Sequence, residues 1–127
     1  MPEKERFTTE RIQFDYYRNM ETKTAVTALA ALAHDSRLAV FRLLVQAGPA
    51  GLAASRIAEQ LAIPPSSLSF HLKELSHAGM VTGTQDGRSI IYAAQFGAMN
   101  ALLAYLTDNC CGGNACNPPL ITSKECP

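Results

Sequence analysis

The chain has 127 residues, enough for one compact hydrophobic core and too few for two ordinary domains. Its formal net charge of zero argues against a nucleic-acid partner, because DNA selects for a basic excess. Two paired subunits can offset this by placing five cations along one surface: Arg37, Arg42, Arg56, Lys73 and Arg88. We expect a cytoplasmic protein, since no apolar run reaches the roughly 18 residues of a membrane span and no signal peptide is visible.

The first predicted elements follow from the spacing of apolar residues. Residues 1–21 mix charges of both signs around scattered aromatic side chains, so we predict an N-terminal arm there, with a short helix added to a dimer interface as the alternative. Over residues 22–33 apolar side chains recur at intervals of three and four, which predicts a helix with Val26 and Leu29 on its inward face. This helix opens a predicted folded domain of residues 22–109.

Three more helices are predicted before the first β-prone segment. The first has Asp35 as its N-cap and ends before Gly48. A short helix covers residues 53–61, and the next begins at Pro65, which suits the first helical position because its missing N–H would have no partner there. This helix runs to His77 with leucines on its inner arc and a polar, serine-rich outer face.

Two short β-prone runs and a last helix complete the predicted domain. The runs cover residues 80–84 and 89–93 and are joined through Asp86-Gly87, whose glycine readily takes the positive φ of a tight hairpin. The last helix, residues 95–109, is apolar around so much of its surface that we expect part of it to face a partner subunit.

This order of elements is that of a winged helix-turn-helix, a mainly α fold with a two-stranded β-hairpin. In such a fold the second helix of the turn enters the major groove of duplex DNA, and the hairpin follows the backbone. Hydroxyls, cations and an aromatic ring on these elements suit base edges, phosphates and thymine methyl groups. The candidate DNA-binding residues are Ser66, Ser67, Ser69, Phe70, Lys73 and Arg88.

These residues also have structural interpretations. Serines at a helix start are usually caps, Phe70 can cover a neighbouring subunit, and Arg88 can be an ordinary solvated side chain. His71 lies at the edge of the apolar arc, so we interpret it as a satisfied core or turn-bridging histidine and not as a base reader. The ordered arrangement of the elements, more than any single residue, favours DNA binding.

Three stretches resemble the arsenic-repressor (ArsR) family of metalloregulators. They are LAHDSRLAVFRLL at residues 32–44, ASRIAEQLAIPPSSLSFHLKELSHAGMV at 54–81 and GRSIIYA at 87–93. The resemblance implies a winged-helix homodimer that pairs through its first and last helices and represses a resistance operon until metal binds. Pro64, Phe70 and Thr84-Gln85 depart from residues common in the family, and we expect them to affect DNA affinity or the operator sequence rather than the fold.

All four cysteines lie within residues 110–127, which we interpret as a sensor tail. A reducing cytosol keeps such cysteines as thiols. Cys110 and Cys111 are separated from Cys116 by a spacer with two glycines, whose freedom lets the third thiol fold back towards the pair. Three thiolates form a neutral trigonal-pyramidal unit with As(III) without a fourth ligand. We therefore expect As(III), or the similar Sb(III), as the effector.

Other thiol chemistry stays open. Zinc prefers four ligands, usually at paired spacings that this sequence lacks, but Cys126 is a possible extra ligand, so Zn, Cd and Pb remain alternatives. A redox switch or a disulfide is a further alternative. By resemblance, the best-known arsenic site of the family places cysteines just before the helix-turn-helix, where this chain has none. A subset instead carries a Cys-Cys pair plus one Cys at the end of the last helix, and the cysteines of this chain are similar to those of that subset.

Two other classes of protein are less consistent with the sequence. A small thiol enzyme needs an activated cysteine, yet these thiols follow a helix C-terminus, whose partial negative charge disfavours a thiolate, so we expect no enzyme. A winged helix that serves only as a protein-protein adaptor would not show the salt dependence of phosphate contacts. The sequence thus predicts a homodimeric repressor of operator DNA that responds to a metalloid.

Overall fold

The computed structural model describes residues 20–108, which contain five helices and three short strands. The helices are α1 (Thr22–Leu32), α2 (Asp35–Ala47), α3 (Ala54–Leu61), α4 (Pro65–His77) and α5 (Phe96–Leu106). The strands are β1 (Leu52–Ala53), β2 (Val81–Asp86) and β3 (Ser89–Ala94). The predicted sensor tail lies outside this part, as does nearly all of the predicted N-terminal arm. None of the described helices is long and apolar enough to cross a membrane.

Helices α3 and α4 form a helix-turn-helix whose apolar sides meet in the core. The predicted inner arc of α4 is confirmed, because Leu68, Leu72 and Leu75 are all buried. Ile57 of α3 is buried with them in the same apolar cluster. The chain reverses after α3 through Ala62, which takes a left-handed φ of 54°. This arrangement leaves the opposite, polar side of α4 facing outwards.

The start of α2 differs from the prediction that Asp35 caps it. The N-cap is His34, whose Nδ1 accepts a hydrogen bond of 3.1 Å from the backbone N–H of Ser36. Asp35 is instead the first helical residue, where a carboxylate is favoured by the positive end of the helix dipole. The prediction was wrong because an imidazole can accept the same hydrogen bond that a cap usually receives through a side-chain oxygen.

The inward face of α1 also differs from the prediction. Val26 and Leu29, expected to point into the core, are 57% and 42% exposed. The residues that pack inward are the small side chains Ala25, Ala28 and Ala31. The larger apolar residues of α1 are therefore left for a contact outside the subunit core.

The sheet has three antiparallel strands in the order β1-β3-β2, so the predicted two-stranded hairpin gains a third strand. Leu52 pairs with Tyr92 and Ala53 with Ile91. Gly51 precedes this strand with a φ of 72°, and a Cβ added there would lie 2.2 Å from the backbone oxygen of Tyr92. Glycine is thus required for the close approach that joins the start of α3 to the hairpin.

Candidate nucleic-acid interface

The outer face of α4 is open to solvent over most of its length. All five residues of α4 that were predicted from the sequence are exposed: Ser66, Ser67, Ser69, Phe70 and Lys73. The interpretation of the first two serines as caps is wrong, since the N-cap is Pro64 and no side chain caps the helix. Pro65 is in the first turn, as predicted. The first-turn N–H groups thus receive no side-chain cap and lie in the same turn as exposed serine hydroxyls, a combination suited to DNA phosphates.

Phe70 is the large apolar side chain on this otherwise polar face. Its side chain is 56% exposed, and its ring meets the His71 ring at 5.9 Å in an edge-on arrangement. An exposed aromatic ring beside serine hydroxyls can make an apolar contact with a thymine methyl group.

The wing is formed by β2 and β3 with a two-residue loop. Asp86 pairs with Ser89, which leaves Gly87 and Arg88 as the loop residues. Gly87 has a φ of 67°, as the first loop residue of a type II′ turn requires, so the loop lies one residue later than predicted. The side-chain amide of Gln85 donates to the Gly87 oxygen at 2.8 Å and orders the tip. Arg88 is exposed at this tip.

A cleft of about 390 Å³ separates α4 from the wing and the start of α3. Ser69 and Arg88 both line it, so the structure brings together a predicted helix residue and the predicted wing cation. Ser55 and Ser89 line it as well and were missed by sequence reasoning. Its position in the first turn of α3 could have identified Ser55, because the alanine at the N-cap leaves the N–H groups of that turn without a side-chain partner.

The five cations that two paired subunits could place along one surface are distributed over different parts of the subunit. Arg37 donates from Nε to the Ala31 oxygen at 2.6 Å, at the corner between α1 and α2. Arg42 lines a separate groove between α2 and α5. The Nε of Arg56 lies 3.9 Å from a carboxylate oxygen of Glu59, which reduces its positive potential. The cations beside the cleft and on the outer face of α4 are therefore the relevant ones for DNA.

His71 of α4 lies against His34, the N-cap of α2. Its ring centroid lies 4.8 Å from that of His34, with the planes 46° apart. Its Nδ1 is buried and has no hydrogen-bond partner among residues 20–108, which differs from the expectation that it is satisfied. Burial lowers the pKa of His71 below its ordinary value of 6.5, and the neighbouring His34 and Arg37 lower it further.

A second exposed surface is apolar and lies on α1, α2 and α5. We define the outer apolar face as Val26, Leu29, Leu38, Leu103 and Leu106, which are all exposed. A groove of about 390 Å³ between α2 and α5 continues this face. Helices α1 and α5 are in contact, with the Thr22 and Tyr105 hydroxyl oxygens 2.5 Å apart. Large apolar side chains exposed on helices that contact one another are typical of a protein interface.

The predicted thiol site lies outside the described residues. Cys110, Cys111, Cys116 and Cys126 all fall after residue 108, shortly beyond the end of α5. Within residues 20–108, no group of three or more His, Cys, Asp and Glu side chains is arranged to hold a metal ion.

Comparison with known proteins supports the interpretation of the fold. A helix-turn-helix domain family matches residues 32–84. The HTH-type transcriptional regulator YgaV of Escherichia coli (strain K12) is 28% identical over 87 residues, covering 68% of this chain and 86% of its own. The ArsR-like transcriptional regulator from Rhodococcus sp. RHA1 is similar in structure, with a TM-score of 0.59 at 27% identity over 66% of this chain and 76% of that chain. HlyU from Vibrio cholerae N16961 has a TM-score of 0.55 at 28% identity, and the match covers 68% of this chain and 97% of that chain.

The fold, the exposed face of α4 and these similarities define a winged helix-turn-helix transcriptional regulator. Within that class, the similar proteins support an ArsR-like regulator, in agreement with the family that the sequence resembles. Their names describe regulators and not enzymes, which favours the regulator over the thiol enzyme.

Proposed function

We propose that the chain is a metalloid-responsive repressor that binds operator DNA as a homodimer and leaves it when As(III) or Sb(III) binds Cys110, Cys111 and Cys116. The observation that carries this proposal is the exposed face of α4 beside the ordered wing. A helix with this exposure can enter the major groove while the wing follows the adjacent backbone.

The contacts with DNA divide into base readout and phosphate binding. The serine hydroxyls of α4 can donate to or accept from base edges and phosphates, and Phe70 can pack on a thymine methyl group. Lys73 and Arg88 supply the charge that neutralises phosphates. Because these cations are few, we expect moderate nonspecific affinity and a larger share of recognition from α4 itself.

The outer apolar face supports pairing through α1 and α5. A second copy of the chain would cover Val26 and Leu29 together with the exposed leucines of α5. A two-fold dimer would then place its two α4 helices one DNA turn apart, about 34–36 Å, on a palindromic operator.

The effector part of the proposal is supported by donor chemistry and position in the chain. Three thiolates are a soft donor set that suits As(III), which would be held as a trigonal unit. The cysteines follow the pairing helix α5, so binding there can bias how two subunits sit. A coupling of about 1 to 3 kcal/mol lowers operator affinity by about 5- to 150-fold, enough to release a promoter.

The test is a titration with arsenite of the protein bound to a duplex selected from a random-sequence pool. We expect arsenite to release the wild type, and Cys116→Ser to bind DNA equally well but not to respond. Cys126→Ser is the matched control and should respond like the wild type. If the wild-type complex survives arsenite, As(III) is not the effector. If only Zn or Cd releases the complex, that metal takes the place of As(III) as the effector. Failure to enrich any duplex contradicts DNA binding.

A further inference from the structure

Two of the chain's three histidines meet where the core contacts the recognition helix. His34 precedes α2 and His71 lies in the middle of α4, with their ring centroids 4.8 Å apart. This histidine pair therefore joins the start of a core helix directly to the helix that faces DNA.

His34 performs its structural role only when its Nδ1 carries no proton. That nitrogen accepts the backbone N–H of Ser36, and a protonated imidazole has no acceptor left. Protonation of His34 thus removes the N-cap of α2.

His71 is kept neutral by a different feature. Within the described part of the chain its buried Nδ1 has no hydrogen-bond partner, so a proton placed there would be a donor without an acceptor. Four elements pack against α4, namely α1, α2, α3 and β2. Their titratable and charged residues, together with His34 before α2, are His34, Lys23, Asp35, Arg37, Arg42, Arg56, Glu59 and Asp86. Of these, His34 and Arg37 act on His71, and both oppose a positive charge. Lys73, Glu74 and His77 follow His71 on α4 itself.

We propose that the His34–His71 pair is a proton-sensitive contact that holds the recognition helix in place when neutral and releases it when protonated. The proposal rests on the proposed DNA binding for its second consequence, a loss of operator affinity on acidification. Its first consequence, a loss of stability, is independent of DNA.

The direction of both effects follows from linkage. Because the pKa of His71 is lowered in the folded protein, the unfolded chain binds protons more readily as the pH falls below 6.5. The stabilisation from the neutral ring is complete above pH 6.5 and is lost as the pH falls through the folded pKa. General electrostatics acts in the opposite direction, since added positive charge strengthens DNA binding. A fall in operator affinity at low pH therefore identifies the histidine pair.

The experiment compares the wild-type protein with His34→Ser/His71→Leu between about pH 7.5 and 5.5, a range around the ordinary histidine pKa. Serine keeps an N-cap oxygen and leucine fills the half-buried position, and neither titrates. His77→Gln, which removes the remaining histidine from the same helix, is the matched control. Urea unfolding reports stability, and fluorescence anisotropy with the selected duplex reports affinity.

We expect the wild type and His77→Gln to lose stability on acidification and the double variant to lose clearly less. Operator affinity of the wild type should fall by about fivefold or more relative to the double variant, as for two coupled sites. Equal pH dependence of stability in wild type and double variant overturns the proposal, and equal pH dependence of affinity overturns its link to DNA. If no duplex binds at any pH, the proposed function fails while the stability comparison still decides the histidine pair.

A direct titration removes any dependence on how the variants fold. The imidazole resonances of the wild type, assigned with the single variants, should show His71 titrating below 6.5. A His71 pKa at or above that value contradicts the proposal.

Discussion

Replacing Arg88 with alanine is expected to weaken operator binding in a salt-dependent manner. Arg88 lies in the wing loop, is exposed, and lines the same cleft as Ser69. A homodimer carries two copies of this side chain, and each neutralised phosphate contributes about 0.9 to the slope of log K against log salt. Loss of both contacts should therefore reduce the magnitude of the slope by about 1.8.

The same relation gives the size of the affinity loss. In about 0.1 M monovalent salt, that change in slope corresponds to roughly 60-fold weaker binding, or about 2.4 kcal/mol. The preference for one operator sequence over another should change little, because phosphate contacts position the protein without reading bases. Fluorescence anisotropy with a labelled duplex at several salt concentrations measures both quantities.

Arg42→Ala is the matched control for this prediction. It removes the same side chain from the groove between α2 and α5, away from the cleft beside the wing, and should leave the salt slope unchanged. Sedimentation of both variants checks that they keep the wild-type oligomeric state. The reasoning is refuted if Arg88→Ala has the wild-type slope, or if both substitutions reduce the slope equally.

Two further predictions concern the fold and the pairing surface. Gly51→Ala places a Cβ 2.2 Å from the Tyr92 oxygen at a positive φ and should cost about 3 kcal/mol or more in urea unfolding. Gly87→Ala has the same strain but free space around the Cβ, so a loss above about 2 kcal/mol there would contradict this explanation. Leu103→Glu should make the protein monomeric in sedimentation with little loss of helix, because its side chain is exposed within the subunit. Ile90→Glu is the control, because Ile90 is exposed on the wing, and this variant should remain a dimer. If the Leu103→Glu variant also remains a dimer, the proposed pairing through α5 is wrong.

The elements that the sequence predicted best are those whose pattern is local. The bounds of α4 follow from Pro65 at its first turn and from leucines that all face one core. For α1 the same reasoning chose the wrong face, since Val26 and Leu29 are larger than the alanines that pack inward. Hydrophobic spacing finds an apolar stripe but does not tell a subunit core from a surface that another subunit covers.

The features that were missed depend on residues far apart in the chain. Strand β1 has only two residues and exists because Gly51 lets the chain approach Tyr92. The residues on the outer face of α4 were predicted one by one from the sequence. The cleft that adds Ser55 and Ser89 forms only when α3, α4 and the wing meet. The cap by His34 was missed for a related reason, because its ring is oriented beside His71 of a different helix.

Helix α1 has a central position in any response of α4 to the C-terminal thiols. It contacts α5, through the pair of hydroxyls on Thr22 and Tyr105, and it also contacts α4. A change at the end of α5 can therefore reach the recognition helix through one shared neighbour or through the partner subunit. The histidine pair acts on α4 from the side of α2 instead. Because these two routes meet α4 through different helices, removing the imidazoles should leave the arsenite response intact, and removing Cys116 should leave the pH response intact.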